Sequence, residues 1–181
     1  MTADELFLQE QEKVKNHSFI QELQNSESQI TAKRYATYLY NQHLQVNLLE
    51  QLALAYGATF MRTAPAMWND YKELWATTDD PSVSPSTLAV VDEHNSYIMK
   101  LRDDAKSLRS HTYVRHMLDL NLSNTYSVPG PATLYTYEQP IDKVKEQLTM
   151  DELYDKKLYQ PEMQLAFDFV IKQLDQMEEL L

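Results

Sequence analysis

Glycine occurs only twice in the 181 residues, at Gly57 and Gly130, and this scarcity is the tightest constraint on the fold. Tight hairpins lean on residues that tolerate positive φ, glycine above all. A chain almost without glycine cannot reverse many short strands, so an all-β fold is disfavoured. The remaining composition points toward helix: Leu, Gln, Glu, Ala, Lys and Met recur from end to end. The length suits one domain whose core needs no covalent staple, and residues 1–181 read as a single all-α domain.

Caps and apolar spacing set the expected elements. Thr2 with Glu5 has the capping-box pattern and opens a first helix running to about Gln24. Polar residues 25–29 break the pattern, and Thr31 then caps a second helix from Ala32 to about Tyr56, with Gly57 as its stop. Pro65 starts a third helix through Trp68 and Trp75, and residues 77–85 form the clearest loop. A fourth helix holds Tyr97 and Leu101, and a fifth runs from about Ala105 to Thr125. Val128-Pro129-Gly130-Pro131 is a connector, and Leu134 to Tyr137 is the one stretch where strand alternation is conceivable. Thr149 with Glu152 predicts another capping box for a short helix, and Pro161 suits the first turn of the last helix. That helix carries an apolar stripe of Met163, Phe167, Val170, Leu174, Met177 and Leu181. Its other face holds Lys172, Asp175, Glu178 and Glu179. The whole reads as a multi-helix bundle without internal repeats.

Composition also bounds the chemistry. The chain has no Cys, which excludes disulfides, zinc thiolates, iron–sulfur clusters and thiol nucleophiles. A formal net charge of −11 disfavours nucleic acid and anionic membrane surfaces as partners. The acidic start Met1-Thr2-Ala3-Asp4-Glu5 is unlike a signal peptide, and no apolar run approaches a membrane span. A soluble, cytoplasmic protein is expected, with export by a route that reads no N-terminal signal left open.

One segment carries a family resemblance. Ser110-His111-Thr112-Tyr113-Val114-Arg115-His116-Met117-Leu118-Asp119-Leu120 resembles the distal-helix motif of heme oxygenases, His-Ala-Tyr-Thr-Arg-Tyr-Leu-Gly-Asp-Leu-Ser-Gly-Gly. His111, Tyr113, Arg115 and Asp119 match it at the right spacing. Ile30-Thr31 through Leu49-Glu50 is similar to the family's second helix, and the last helix to its final one. The resemblance implies a heme oxygenase-like helical bundle. It also implies distal roles for Asp119, Arg115 and Tyr113, and a heme site formed with the first helix.

The departures from that pattern fall on the heme site. The family's iron ligand is a His on the first helix, about two turns before a Phe. Aligning that Phe with Phe19 puts Gln11 at the ligand position, and an amide is a far poorer iron ligand than imidazole. Leu118, Leu122 and Ser123 stand where the family has glycines that let the distal backbone approach the porphyrin. Late in the chain, Leu148-Thr149 replaces a Tyr-Arg pair that holds a propionate, with Lys145 as a basic neighbour. His17 is the nearest replacement ligand, but on a continuous helix it lies off the face of Gln11.

Each site has a structural reading beside the functional one. His111, Arg115 and Asp119 fall on one helix face and are read as a buried structural network. His17 is read as a surface or half-buried residue, and His43, His94 and His116 match no motif. Tyr35, Tyr38 and Leu39, and the pair Trp68 and Trp75, are read as core. A di-iron relative would need inward carboxylates and histidines; Glu50, His94, His111, His116 and Asp119 supply the types, but no Glu-x-x-His occurs. An acidic surface would also slow docking of a reductase, unless Lys13, Lys15, Lys33 and Arg34 make a local basic patch.

The leading expectation is a heme oxygenase-like protein with a degenerate heme site. It would bind a small hydrophobic ligand or a protein partner, with no cofactor and no metal. The alternatives are a working heme oxygenase, with heme and a reductase, and a di-iron oxygenase.

Overall fold

The computed structural model describes residues 1–27, 30–56, 62–133, 140–150 and 158–180, the side chains of 147–150 excepted. Its α-helices are α1 (Ala3–Lys15), α2 (Ser18–Gln24), α3 (Ala32–Leu54), α4 (Ala64–Trp75), α5 (Ala89–Lys100), α6 (Ala105–Leu122), α7 (Ile141–Met150) and α8 (Gln160–Glu179). A 3₁₀ turn, Ser123–Thr125, continues α6. No strand occurs among the described residues. Gly57, Glu152, Leu181 and the Leu134 to Tyr137 stretch lie outside them.

Several helix starts follow their local caps. At α1 the box is reciprocal: the Glu5 amide donates to Thr2 Oγ1 at 3.1 Å, and the Thr2 amide donates to Glu5 Oε2 at 2.7 Å. Thr31 Oγ1 accepts from the Arg34 amide at 3.2 Å, and Pro161 sits in the first turn of α8. Asp104 Oδ1 accepts from the Lys106 and Ser107 amides, both at 3.1 Å, to open α6. Such caps contribute about 1 kcal/mol each.

The expected single first helix is two. Lys15-Asn16-His17-Ser18 interrupts the apolar spacing with residues that compete well as caps. Asn16 closes α1, His17 turns extended (φ −67°, ψ 138°), and its Nδ1 accepts from the Phe19 amide at 3.1 Å. Gln11 and Phe19 therefore stand on different helices. Thr149 is a second correction: it lies inside α7 rather than at an N-cap.

α3, α5, α8 and α6 pack as a ring in that order, with α6 also against α3. α4 covers α3, α1 packs on α8 and α6, and α7 packs on α6. The sequence reading of α8 holds in the core: Met163, Phe167, Leu174 and Met177 are buried, while Lys172, Asp175 and Glu179 are exposed. Each large apolar side chain buried in this way contributes roughly 1.5–3 kcal/mol. Tyr35, Tyr38, Leu39 and Trp75 are core as expected, but Trp68 is 36% exposed, its ring flanked by His43 and Lys72. Gly130 adopts φ +77°, a backbone conformation that favours glycine, and a Cβ there would press on the Leu74 side chain at 2.9 Å.

Candidate functional site: the polar interior around α6

The middle of α6 is enclosed on all sides, residues 110–120 being buried throughout. A helix hidden all round would ordinarily be apolar. This one carries His111, Arg115, His116 and Asp119 inward, so each must find a partner or leave a costly orphan.

Arg115 and Asp119 meet one turn apart, Nη2 donating to Oδ1 at 3.1 Å, with side chains only 8% and 10% exposed. The Tyr38 hydroxyl of α3 lies beside Arg115 and interacts electrostatically with it. Burial pushes the Asp119 carboxyl above its ordinary range despite the guanidinium beside it. Arg115 Nε and Asp119 Oδ2 have no hydrogen-bond partner among the described residues. Tyr113 points the other way, its ring edge-on to Phe7 of α1 at 5.5 Å.

His111 engages a different pair of helices. Its Nε2 lies 2.9 Å from Glu162 Oε2 on α8, and its Nδ1 lies 3.1 Å from His94 Nε2 on α5. Tyr97 donates its hydroxyl to both Glu162 oxygens, at 2.8 and 2.9 Å. The carboxylate assigns the tautomers along this chain. His111 donates Nε2–H to Glu162 and accepts from His94 Nε2–H, which leaves His94 Nδ1 an acceptor with no partner among the described residues. Burial, with His111 and then Arg115 nearby, drives the His94 pKa down to about 3. Burial likewise lowers His111 in spite of Glu162, and burial with Glu162 pushes Tyr97 up to about 12.

His116 belongs to a third group, on the side of α4. Its Nε2 is 3.4 Å from Glu50 Oε1. Thr63 offers no side-chain cap to α4; instead Glu50 accepts from the Thr63 amide at 2.6 Å, the Thr63 hydroxyl at 3.1 Å and the Ala64 amide at 3.3 Å. Burial pushes the Glu50 carboxyl up, but His116 and those two amides outweigh it and hold the pKa below the usual range. The residue types named for a di-iron site are thus dispersed among separate pairs. Among the described residues no group of His, Asp and Glu converges as a metal site would require.

The residues aligned with a heme site lie in a filled interface. Asn121 of α6 donates Nδ2–H to Gln11 Oε1 of α1 at 2.6 Å. Phe7 touches Tyr113 and also Phe167 of α8, the latter rings 5.4 Å apart. Leu118 and Leu122 are each 4% exposed, packed in the main core. His17 is occupied at both ring nitrogens, capping α2 and meeting Asp175 Oδ1 at 3.1 Å. Lys145 is half-buried on α7. The basic patch considered from sequence is largely neutralised: Lys13 pairs with Glu10, Lys15 with Glu12 and Arg34 with Glu22. A cleft of about 580 Å³ between the start of α3 and the end of α8 is bordered by none of these heme-aligned residues.

Sequence reasoning missed Glu162 and Asn121, each an ordinary polar residue on its own helix. No family model, curated protein or solved structure matches the chain. No helix among the described residues is long and apolar enough to cross a membrane.

Proposed function

We propose that the chain is a heme oxygenase-like protein with a degenerate heme site, acting by binding a ligand or a protein partner and not by opening heme. The observation that supports this most is the 2.6 Å hydrogen bond between Gln11 and Asn121. By the resemblance, α1 supplies the iron ligand and α6 the distal wall, so a porphyrin would lie between them. Those helices instead touch directly, through this bond and through Phe7 against Tyr113. A macrocycle would have to break the bond, part the rings and displace Leu118 and Leu122. Overpacking costs about 1–3 kcal/mol per site, before the missing imidazole is counted. Heme therefore does not fit the residues present, and no resident cofactor is expected.

Titration with hemin, followed by absorption, tests this reading together with the metal content of the purified protein. The expected outcome is no sharp Soret band and no stoichiometric metal. Stoichiometric hemin binding at micromolar concentration, with biliverdin released on adding a reductant, would establish the heme oxygenase instead. Bound iron without heme would establish the di-iron oxygenase.

A further inference from the structure

The interior of the α3–α5–α8–α6 ring holds polar side chains that the pairs above leave unanswered. Gln42 and Gln45 on α3, His94 on α5, Arg115 on α6 and Gln173 on α8 are between 1% and 7% exposed. Gln42 Oε1, Gln45 Nε2, His94 Nδ1, Arg115 Nε and both amide atoms of Gln173 have no hydrogen-bond partner among the described residues. Buried polar atoms are nearly always satisfied, so a concentration of orphans is a feature to be explained.

Helical spacing places these atoms around one interior. The His94–His111 hydrogen bond joins α5 to α6 across the ring. Phe169 of α8 stacks on His94 with ring centroids 4.3 Å apart, and Gln173 follows Phe169 by one turn on the same face. Tyr38 of α3 lies beside Arg115, and Gln42 and Gln45 follow Tyr38 by one and two turns on that face. Helix bundles build their ligand sites in such cores, from side chains on facing helices.

We propose that this interior binds a small uncharged molecule bearing a carboxamide or lactam edge. Gln173 presents a free N–H donor beside a free carbonyl acceptor, and the complement of that edge is another amide edge. Gln45 and Arg115 add free donors, and Gln42 and His94 add free acceptors. An anion would meet the bare oxygens of Gln42 and Gln173 and the lone pair of His94. A cation would meet the N–H groups of Gln45, Gln173 and Arg115.

This proposal rests on reading the chain as a binding protein, yet its test is independent of hemin. Benzamide and benzoate are near-isosteres differing in the amide edge, and thermal unfolding of the full chain compares them. Benzamide at about a hundredfold over its Kd is expected to raise Tm by about 5–10 °C, and benzoate to leave it unchanged. Gln173→Leu removes the orphaned amide; it is expected to keep or raise the basal Tm and to abolish the benzamide response. Should that variant not fold, the side-chain amide resonances of the unmodified protein decide, and those of Gln42, Gln45 and Gln173 are expected to move with benzamide. Equal shifts with benzoate, no shift with benzamide at 10 mM (roughly the limit of weak fragment binding), or a folded Gln173→Leu that still responds would overturn the proposal.

Discussion

Replacing Asp119 by Ala removes one bond, yet its consequence reaches beyond that bond. Arg115, with a side chain only 8% exposed, would keep its tie to Tyr38 but lose the only carboxylate paired with it among the described residues. Breaking a buried pair by deleting one partner costs about 3–5 kcal/mol when the remaining charge is stranded. Two features reduce that figure here. Tyr38 still holds the guanidinium, and the raised pKa of Asp119 shows that its own burial already outweighs the attraction. We therefore expect a loss of about 1–3 kcal/mol. For a chain of this size that corresponds to a fall in Tm of about 2–12 °C, measurable by calorimetry or urea denaturation at neutral pH. The companion variant Arg115→Met with Asp119→Leu removes both charges and should be neutral or stabilising, because no ion is left uncompensated. An unchanged midpoint for Asp119→Ala would show the pair to be a solvated surface contact, and the reasoning would fail.

Other perturbations probe the remaining groups. His94 is neutral in the fold, with a pKa of about 3, whereas the unfolded chain takes up that proton near 6.5. Its contribution is therefore present above pH 6.5 and is lost as pH falls toward 3; His111 acts in the same direction, and Asp119, with its raised pKa, acts in the opposite one. Stability should drop by about 2–3 kcal/mol between pH 7 and pH 4.5, and identical urea midpoints at the two pH values would contradict this. Glu50→Ala strips α4 of its cap and His116 of its partner, so a loss of about 2–4 kcal/mol is expected in urea denaturation, with a loss below 0.5 kcal/mol counting against it. Gln11→His combined with Leu118→Gly and Leu122→Gly should gain hemin affinity by at least about tenfold, since each 1.4 kcal/mol or so is a factor of ten. A spectroscopic titration indistinguishable from the unmodified protein would remove Gln11 and the two leucines as the reason for weak heme binding.

Chain-local physics was legible in the residues themselves. Thr2 with Glu5, Thr31 and Pro161 act within one turn of where they stand, and the structure puts them at the helix starts their chemistry predicts. The stripe from Met163 to Met177 needs only helical periodicity, and it is buried except for the half-buried Val170. Even local reading failed at Asn16-His17, where capping competed with continuation and the ring of His17 tipped the balance by accepting from the Phe19 amide. Tertiary structure alone decided the rest. Glu162 finds His111 across 51 residues, Asn121 finds Gln11 across 110, and Glu50 caps a helix that begins 14 residues later. His111, Arg115 and Asp119 share one face of α6, yet they meet different neighbours: His111 reaches α5 and α8, while Arg115 and Asp119 pair with each other beside Tyr38 of α3. Spacing along a helix tells which side a residue faces. What meets it there depends on how the other helices pack, because a buried polar atom takes its partner from whichever neighbour the core brings within hydrogen-bond reach.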